Sequence, residues 1–219
     1  MRLVTLPGVF SPISDSRLLA ACLRSEIRPG ARVADLCTGS GLLAVVAALH
    51  GAAATAVDVS RRAVVTARLN ARLNGVSVRA VRGDLLAPLE EERFDVIVSN
   101  PPYVPAETDA TPSGPARAWV GGRDGRAVLD RICEQAPRHL LPGGVLLLVH
   151  SSVCGERLTL DRLAASGLEA RVVARRRGPL GPLLAERAEE LERRGLLAPG
   201  ARSEELLVVR GRRPGAPIS

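Results

Sequence analysis

Three acidic residues near the ends of successive apolar segments have the spacing of a site for a nucleoside-bearing ligand. Asp35 and Asp58 lie at the ends of the first two segments, and Asp84 follows the third. Asp35 would meet a cationic group such as an ammonium, and the Asp58 carboxylate can accept both hydroxyls of a ribose. Asp84 is placed to accept the exocyclic amine of an adenine, with Leu85 against the ring. Each acid alone is more often a helix cap, but ligands of open α/β sheets bind at strand ends, so the three together predict a cofactor site.

The turn after Asp35 has the composition that brings a ligand close to the backbone. It reads Cys37-Thr-Gly39-Ser-Gly41, and an apolar segment follows it. Glycines let a ligand approach the backbone, and the N-terminus of the helix that follows presents free N–H groups. The spacing of Gly39, Gly41 and Ala44 fits the dinucleotide fingerprint, which alone is a weak match. Because Asp35 would repel a pyrophosphate, an amino-acid-bearing cofactor fits this turn better.

The segment Asn100-Pro101-Pro102-Tyr103 follows a fourth apolar segment and has the groups needed to hold a substrate –NH2. Two prolines fix the backbone and remove N–H donors, which leaves carbonyl oxygens for a ligand. The Asn100 side-chain oxygen and the Pro101 carbonyl can together accept both hydrogens of one amino group. Tyr103 offers a flat face for a planar amide or heterocycle. A proline-rich turn capped by Asn100 is the plainer interpretation of these residues alone, but their place after three acids favours an acceptor site.

Alternating apolar and amphipathic segments predict the strands and helices that position these residues. Five strands are predicted at residues 32–36, 53–59, 76–82, 94–99 and 145–150. Helices are predicted from residues 14–16 to the Pro29-Gly30 pair and at residues 41–50, 61–73, 125–141 and 157–166. Two more strands, at residues 168–175 and 205–210, flank a Pro-, Gly- and Arg-rich insert around residues 175–200 with a helix at 183–194. This alternation predicts an α/β domain with a parallel sheet, helices on both faces and a C-terminal hairpin.

The composition of the 219-residue chain argues against several classes of protein. Its 46% hydrophobic fraction suits one folded domain. The four cysteines form no C-x-x-C pair and the three histidines are scattered, so no metal site is predicted. No apolar run is long enough to span a membrane, and the N-terminus has no secretory pattern. A cytoplasmic protein without a membrane partner is therefore expected.

Aromatic and basic residues both have an unusual distribution in this chain. The four aromatic residues are Phe10, Phe94, Tyr103 and Trp119, too few for a platform on which successive nucleic-acid bases stack. All 30 basic residues are arginine, and the net charge is +7. An anionic partner such as RNA or a ribosome accounts for that charge, and so does a bias in nucleotide composition.

These motifs together resemble those of class I S-adenosylmethionine-dependent methyltransferases. Residues 35–41 are similar to the first motif of that family, and Asp58, Asp84 and Asn100-Pro101-Pro102-Tyr103 are similar to later ones. The resemblance implies a Rossmann-like α/β fold with a mostly parallel seven-stranded sheet and an antiparallel C-terminal hairpin. It also implies S-adenosyl-L-methionine as cofactor and S-adenosyl-L-homocysteine as product. The implied cofactor-binding residues are Phe10, Ser16, Asp35, Cys37, Gly39, Gly41, Asp58, Asp84, Leu85 and Asn100.

The Asn-Pro-Pro-Tyr form narrows the resemblance to the N-methyltransferases. Among them it is similar to the HemK/PrmC family, which methylates the glutamine of the Gly-Gly-Gln loop in translation release factors. Residues 9–19 are similar to the cofactor-covering segment of the short branch that includes the eukaryotic release-factor enzyme, and residues 118–125 to the stretch after the motif. The implied catalytic residues are Asn100, Pro101, Pro102 and Tyr103, and the implied substrate-binding residues are Asn100, Tyr103 and Trp119.

This resemblance implies protein-glutamine N5-methylation of a release factor or similar protein by one methyltransferase domain, residues 1–219. Residues 1–30 would cover the cofactor, residues 31–167 would bind it, and residues 168–219 would form the hairpin with its Arg-rich insert. Some eukaryotic members of the branch use a small zinc-binding activator subunit, which is a candidate partner. The alternatives are an adenine-N6 methyltransferase acting on RNA or DNA, a small-molecule N-methyltransferase, and a non-catalytic binding module.

The roles of two residues stay open within this resemblance. Cys37 stands where the family usually has its first glycine, which predicts a slightly different turn. Trp119 precedes the glycine-rich stretch Gly121-Gly122-Arg123, so it is either part of the rim of the substrate site or a packing anchor.

Overall fold

The structure is a computed structural model that describes residues 1–10, 14–108 and 114–215. Its strands are β1 (Arg32–Leu36), β2 (Ala53–Asp58), β3 (Val78–Arg82), β4 (Phe94–Ser99), β5 (Leu140–Ser151), β6 (Glu169–Pro179) and β7 (Ser203–Arg212). Its α-helices are α1 (Ser14–Glu26), α2 (Leu42–Leu49), α3 (Arg61–Leu73), α4 (Ala127–His139), α5 (Glu156–Ala165), α6 (Pro182–Ala185) and α7 (Ala188–Arg193). Short 3-10 turns lie at Ala87–Leu89, Gly114–Ala118 and Ser152–Cys154.

The strands of these residues form one sheet in the order β3-β2-β1-β4-β5-β7-β6. Strands β3, β2, β1, β4 and β5 run parallel, and β7 is antiparallel to both β5 and β6. The predicted α/β class, with a mostly parallel seven-stranded sheet and a C-terminal hairpin, is confirmed. The strand order reverses between β1 and β4, and ligands of open α/β sheets bind in the crevice at the carboxyl ends beside such a reversal.

Two aliphatic cores, one on each face of the sheet, hold the strands in place. Leu19 of α1 and Val46 of α2 belong to the first core, which also includes residues of β1 and β2. Leu129 and Ile132 of α4 belong to the second, together with Phe94, which is 1% exposed. Helix α2 is apolar around its whole circumference, as expected for a helix packed between α1 and α3.

The C-terminal hairpin is longer than its composition predicts. Strand β6 continues to Pro179 and β7 begins at Ser203, so the insert between them is residues 180–202 rather than about 175–200. The antiparallel pairing continues to Pro179 and Ser203. The hydrogen bonds of this pairing are made by backbone groups, so a segment rich in Arg and Gly can still form them.

The insert also differs from prediction in its helices. Instead of one helix at residues 183–194, the shorter helices α6 and α7 are separated at Arg187, whose φ of −113° lies outside the helical range. Elsewhere the largest shift is in β5, which begins at Leu140 because that residue already pairs with Phe94 across a bulge. No helix in the described part of the chain is long and apolar enough to cross a membrane.

Candidate active site

A cavity of about 1480 Å³ lies at the carboxyl ends of the parallel strands, where the strand order reverses. It collects residues from the N-terminal segment, from the loops after β1, β2, β3 and β4, and from the C-terminal hairpin. The predicted site residues that line it are Phe10, Cys37, Gly39, Asp58, Asp84, Leu85, Asn100, Pro101, Pro102, Tyr103 and Trp119. Three others, Ser16, Asp35 and Gly41, lie behind this lining and support it, as described below.

Asp35 lies beneath the turn after β1 and is only 1% exposed. Its Oδ2 accepts hydrogen bonds from Thr38 Oγ1 at 2.5 Å and from the Ala44 backbone N–H at 3.1 Å. The carboxylate therefore fastens the turn to the first residues of α2. Burial raises the pKa of Asp35 to about 7, and its Oδ1 has no hydrogen-bond partner among the described residues. Its contact with a cofactor ammonium stays a prediction.

The two glycines of this turn serve different purposes. A Cβ at Gly39 would meet Phe10 at an ordinary 3.7 Å, so Phe10 packs over the turn as a cover. A Cβ at Gly41 would lie 2.7 Å from the Cα and Cβ of Ala67, so Gly41 is needed for the close approach of α2 to α3. Cys37 has a φ of +55° and so adopts the left-handed conformation that favours glycine. The backbone at this position therefore keeps the conformation of a glycine, although Cys37 carries a side chain.

Asp58 at the end of β2 is held by two backbone donors. The Gly39 N–H donates to its Oδ2 at 3.0 Å, and the Ser60 N–H donates to its Oδ1 at 2.9 Å. Burial raises the pKa of Asp58, and these two bonds counteract that shift. Each carboxylate oxygen has a further lone pair, so the pair of oxygens can accept two ribose hydroxyls.

Asp84 and Leu85 lie on the cavity wall after β3. Asp84 Oδ2 pairs with Arg131 Nη2 at 2.6 Å, and both side chains are about half exposed. Leu85 has a φ of +49° and is 4% exposed, so its side chain is packed into the wall. The ion pair leaves Asp84 Oδ1 for an exocyclic amine, and that role stays a prediction.

A directional chain of hydrogen bonds connects Asn100 to helix α1. Asn100 Nδ2 donates to Ser16 Oγ at 3.0 Å, and Ser16 Oγ donates to Asp15 Oδ1 at 3.2 Å. Because the one hydroxyl hydrogen of Ser16 goes to the carboxylate, its oxygen can only accept from Asn100. The Asn100 amide must therefore turn its –NH2 group toward Ser16, which leaves Oδ1 for a ligand in the cavity.

Tyr103 is held by the other oxygen of the same Asp15 carboxylate. Its hydroxyl donates to Asp15 Oδ2 at 2.8 Å, across 88 residues of sequence. Burial and the charge of Asp15 raise the pKa of Tyr103 well above its ordinary value, so the phenol stays protonated and acts as a donor. Asp15 is itself 1% exposed. It joins the N-terminus of α1 to Asn100 and Tyr103, the two polar residues of the predicted acceptor motif, residues 100–103.

From the sequence, Asp15 was only one of three residues that could cap a helix, and the Arg-rich insert was only a feature that could alter substrate choice. The signal available for Asp15 was its position in the segment similar to a cofactor cover. For the insert, whose Leu180, Leu183 and Leu184 line the cavity, no local signal exists because it reaches the site only through the fold. Trp119 lines the cavity and also packs against an apolar cluster of the insert, while its place in the rim of a substrate site stays a prediction.

The family description Methyltransferase small domain matches residues 1–113 of the chain. A Methanocaldococcus jannaschii protein named as a protein N5-glutamine methyltransferase is 35% identical over 180 residues, which cover 81% of this chain and 90% of that protein. The release factor glutamine methyltransferase of Gloeobacter violaceus is 39% identical over 177 residues. That match covers 75% of this chain and 61% of the relative, so the chain spans about three fifths of the relative's length.

Solved structures agree on the fold. A methyltransferase from Pyrococcus furiosus superposes with a TM-score of 0.66 at 20% identity, covering 97% of this chain and 88% of that chain. The E. cuniculi Mtq2–Trm112 complex, which methylates the termination factor eRF1, gives a TM-score of 0.65 at 24% identity, covering 94% of this chain and 99% of that chain. The resemblance inferred from the strand-end motifs is confirmed: the chain is a methyltransferase and belongs to the methyltransferase small domain family.

Proposed function

We propose that this chain is an S-adenosylmethionine-dependent N-methyltransferase that methylates the side-chain amide of a glutamine in a protein, with a translation release factor as acceptor. The observation that carries this proposal is the orientation of Asn100. Its –NH2 group is committed to Ser16 Oγ, so its Oδ1 is the atom available to an acceptor in the cavity.

The residues around the cavity fit the cofactor. Gly39 has no side chain to block a close approach, and Asp58 is pre-positioned by two backbone donors for a pair of hydroxyls. The cavity of about 1480 Å³ exceeds the ~300–1,000 Å³ of most small-ligand pockets, so it has room for an acceptor beside a nucleoside. When bound, S-adenosylmethionine supplies an electrophilic methyl group on its sulfonium.

Asn100 and Pro101 would act by positioning the acceptor nitrogen. An amide nitrogen is a poor nucleophile because its lone pair is delocalised into the carbonyl. Asn100 Oδ1 and the Pro101 carbonyl would each accept one hydrogen of the glutamine –NH2 and direct its nitrogen along the line of displacement. Positive charge that develops on nitrogen as the N–C bond forms and the S–C bond breaks would be stabilised by the same two oxygens. The surplus proton would then go to water.

Tyr103 would hold the plane of the amide. Its hydroxyl is bound to Asp15, so its ring cannot swing away, and its raised pKa keeps the phenol neutral beside the acceptor. Cys154 Sγ donates to the Tyr103 carbonyl at 3.2 Å, which holds the backbone of Tyr103. These contacts give the acceptor motif one conformation before a substrate binds, as catalysis by positioning requires.

The relatives support glutamine as the acceptor. The archaeal and the bacterial relative both match most of this chain. The archaeal protein is named for N5-glutamine methylation, and the bacterial protein is named for the methylation of a release factor. A Bradyrhizobium diazoefficiens relative, 47% identical over 125 residues, is named for ribosomal protein uL3, so a ribosomal protein is a second protein acceptor to test. That match covers 53% of this chain and 39% of the relative.

A small activator subunit remains part of the proposal. Val65, Leu69 and Leu73 are exposed apolar residues spaced four apart on α3, which packs against the edge strand β3. Such a stripe is a surface that a subunit would cover. Size-exclusion chromatography of the isolated chain tests this: an active, stable monomer would show that no subunit is needed.

The acceptor is tested with labelled methyl groups. The purified protein is incubated with S-[methyl-³H]adenosylmethionine and either a release factor or the same factor with its Gly-Gly-Gln glutamine replaced by alanine. We expect label in the unaltered factor only, with a 14 Da increase on that glutamine by peptide mass spectrometry, the mass of one added CH2. Label in RNA, DNA or a small molecule, with none in protein, would contradict the proposal.

A further inference from the structure

The insert of residues 180–202 shares an apolar cluster with the loop that follows the acceptor motif. Leu184 and Leu191 are 3% and 0% exposed in this cluster. Val104, from one arm of that loop, belongs to the same cluster, and Trp119, from the other arm, packs against it. The insert is therefore part of the same packed unit as the acceptor side of the cavity.

Two arginines of the insert bind backbone carbonyls of this loop. Arg187 Nη1 donates to the Pro105 carbonyl at 2.7 Å, and Arg194 Nη1 donates to the Ala106 carbonyl at 3.0 Å. Arg194 Nη2 also donates to the carbonyl of Arg123, on the returning arm of the loop. Arg194 therefore bridges both arms, directly after the residues that would hold the acceptor nitrogen.

Arg194 and the start of the insert are themselves held in place. Glu190 Oε1 pairs with Arg194 Nη1 at 2.7 Å, and both side chains are little exposed, at 22% and 23%. At the start of the insert, the Gly181 N–H donates to Glu204 Oε1 at 2.8 Å. The start of the insert and Arg194 in its second half are thus held by charge-assisted hydrogen bonds, which are stronger than neutral ones.

We propose that residues 180–202 form the acceptor-side wall of the active site, and that Arg187 and Arg194 are positioning residues that set its distance from Asn100. The proposal deepens the proposed function, since it states how a protein segment reaches the acceptor motif. The segment reaches the acceptor motif along the part of the cavity that Trp119, Leu180 and Leu183 line. None of the cofactor-binding residues implied by the sequence lies in this wall.

The test compares Arg187→Ala and Arg194→Ala with Arg193→Ala, a neighbouring exposed arginine. Steady-state methyl transfer is measured with the acceptor that the wild-type protein labels, and calorimetry gives the affinity for S-adenosylhomocysteine. We expect kcat/KM for the acceptor to fall about tenfold or more in both Arg187→Ala and Arg194→Ala, since small misplacements of an acceptor have effects of this size. The cofactor affinity should stay within about twofold of the wild-type value.

Conservative variants separate positioning from loss of structure. Arg187→Lys retains one donor for its single carbonyl and should recover most of the activity, whereas Arg194→Lys cannot bridge two carbonyls as a guanidinium does and should not. The inference is wrong if both alanine variants match Arg193→Ala in kcat/KM. It is also wrong if cofactor affinity falls as much as kcat/KM. If the labelled acceptor is a nucleic acid or small molecule, the proposed function fails, while the same variants still decide whether the insert forms the wall.

Discussion

Replacing Ser16 by alanine tests whether the orientation of Asn100 matters for catalysis. Ser16 is 5% exposed, and its hydroxyl is the group that accepts from Asn100 Nδ2 and donates to Asp15 Oδ1. Without it the Asn100 amide loses the partner that fixes which end faces the cavity. A rotated amide would present –NH2 to the acceptor –NH2, two donors with no acceptor between them.

The size of the effect follows from these two hydrogen bonds. The bond to Asn100 is neutral and contributes about 1 kcal/mol, which corresponds to about a five- to tenfold decrease in kcat once the orientation is no longer fixed. Asp15 Oδ1 keeps its bond from the Ser16 backbone N–H, so the carboxylate is not left without a partner. The total loss of stability is therefore about 2 kcal/mol, or a decrease of about 5 °C in Tm.

The assay measures kcat at saturating cofactor for Ser16→Ala, Ser16→Thr and Ser25→Ala. Threonine keeps the hydroxyl and should retain most of the activity. Ser25 lies exposed on the same helix, where its hydroxyl donates to the Cys22 carbonyl of its own turn, and its replacement should leave kcat unchanged. A kcat for Ser16→Ala within twofold of the wild-type value would refute the orienting role. A large loss of S-adenosylhomocysteine affinity with kcat unchanged would instead make Ser16 a cofactor contact.

Further substitutions test the other groups of the site. Asn100→Ala should abolish turnover and change S-adenosylhomocysteine affinity by less than about tenfold, since it removes transition-state positioning; near-normal turnover would refute this. Asp58→Ala should weaken S-adenosylhomocysteine binding by about tenfold or more in calorimetry, and unchanged affinity would remove Asp58 from the ribose role. Cys37→Gly should raise Tm by about 2–4 °C, because glycine adopts the observed φ of +55° without the ~1 kcal/mol cost of a side chain; Cys37→Ala should not, and a lower Tm for the glycine variant would contradict the reasoning.

The residues at strand ends were predictable from the sequence for a simple geometric reason. Apolar segments give the strands, and parallel strands bring their carboxyl ends to one edge of the sheet. Asp58, Asp84 and Asn100 follow three different strands, and they line one cavity as expected. Asp35 lies at the same edge beneath the turn, where it binds Thr38 and Ala44, and its cofactor contact stays a prediction.

The residues that approach the site from elsewhere in the chain were not predictable in this way. Asp15 meets Tyr103 across 88 residues, and Arg187 meets Pro105 across 82. Neither contact leaves a periodic pattern or a local motif, because each depends on how α1 and the hairpin pack on the sheet. An arginine-rich insert also reads as an exposed charged segment until its partners, which are backbone carbonyls, are known.

The place of the insert in the sheet has a consequence for how the acceptor range of such proteins can diverge. The insert joins β6 to β7, and β7 is paired on both sides, with β5 and with β6. Its length and sequence can therefore change without altering the pairing of any strand that carries a cofactor loop. Acceptor choice and cofactor binding are then inherited as separable modules, and exchanging this one connection between relatives would transfer substrate preference and leave the chemistry intact.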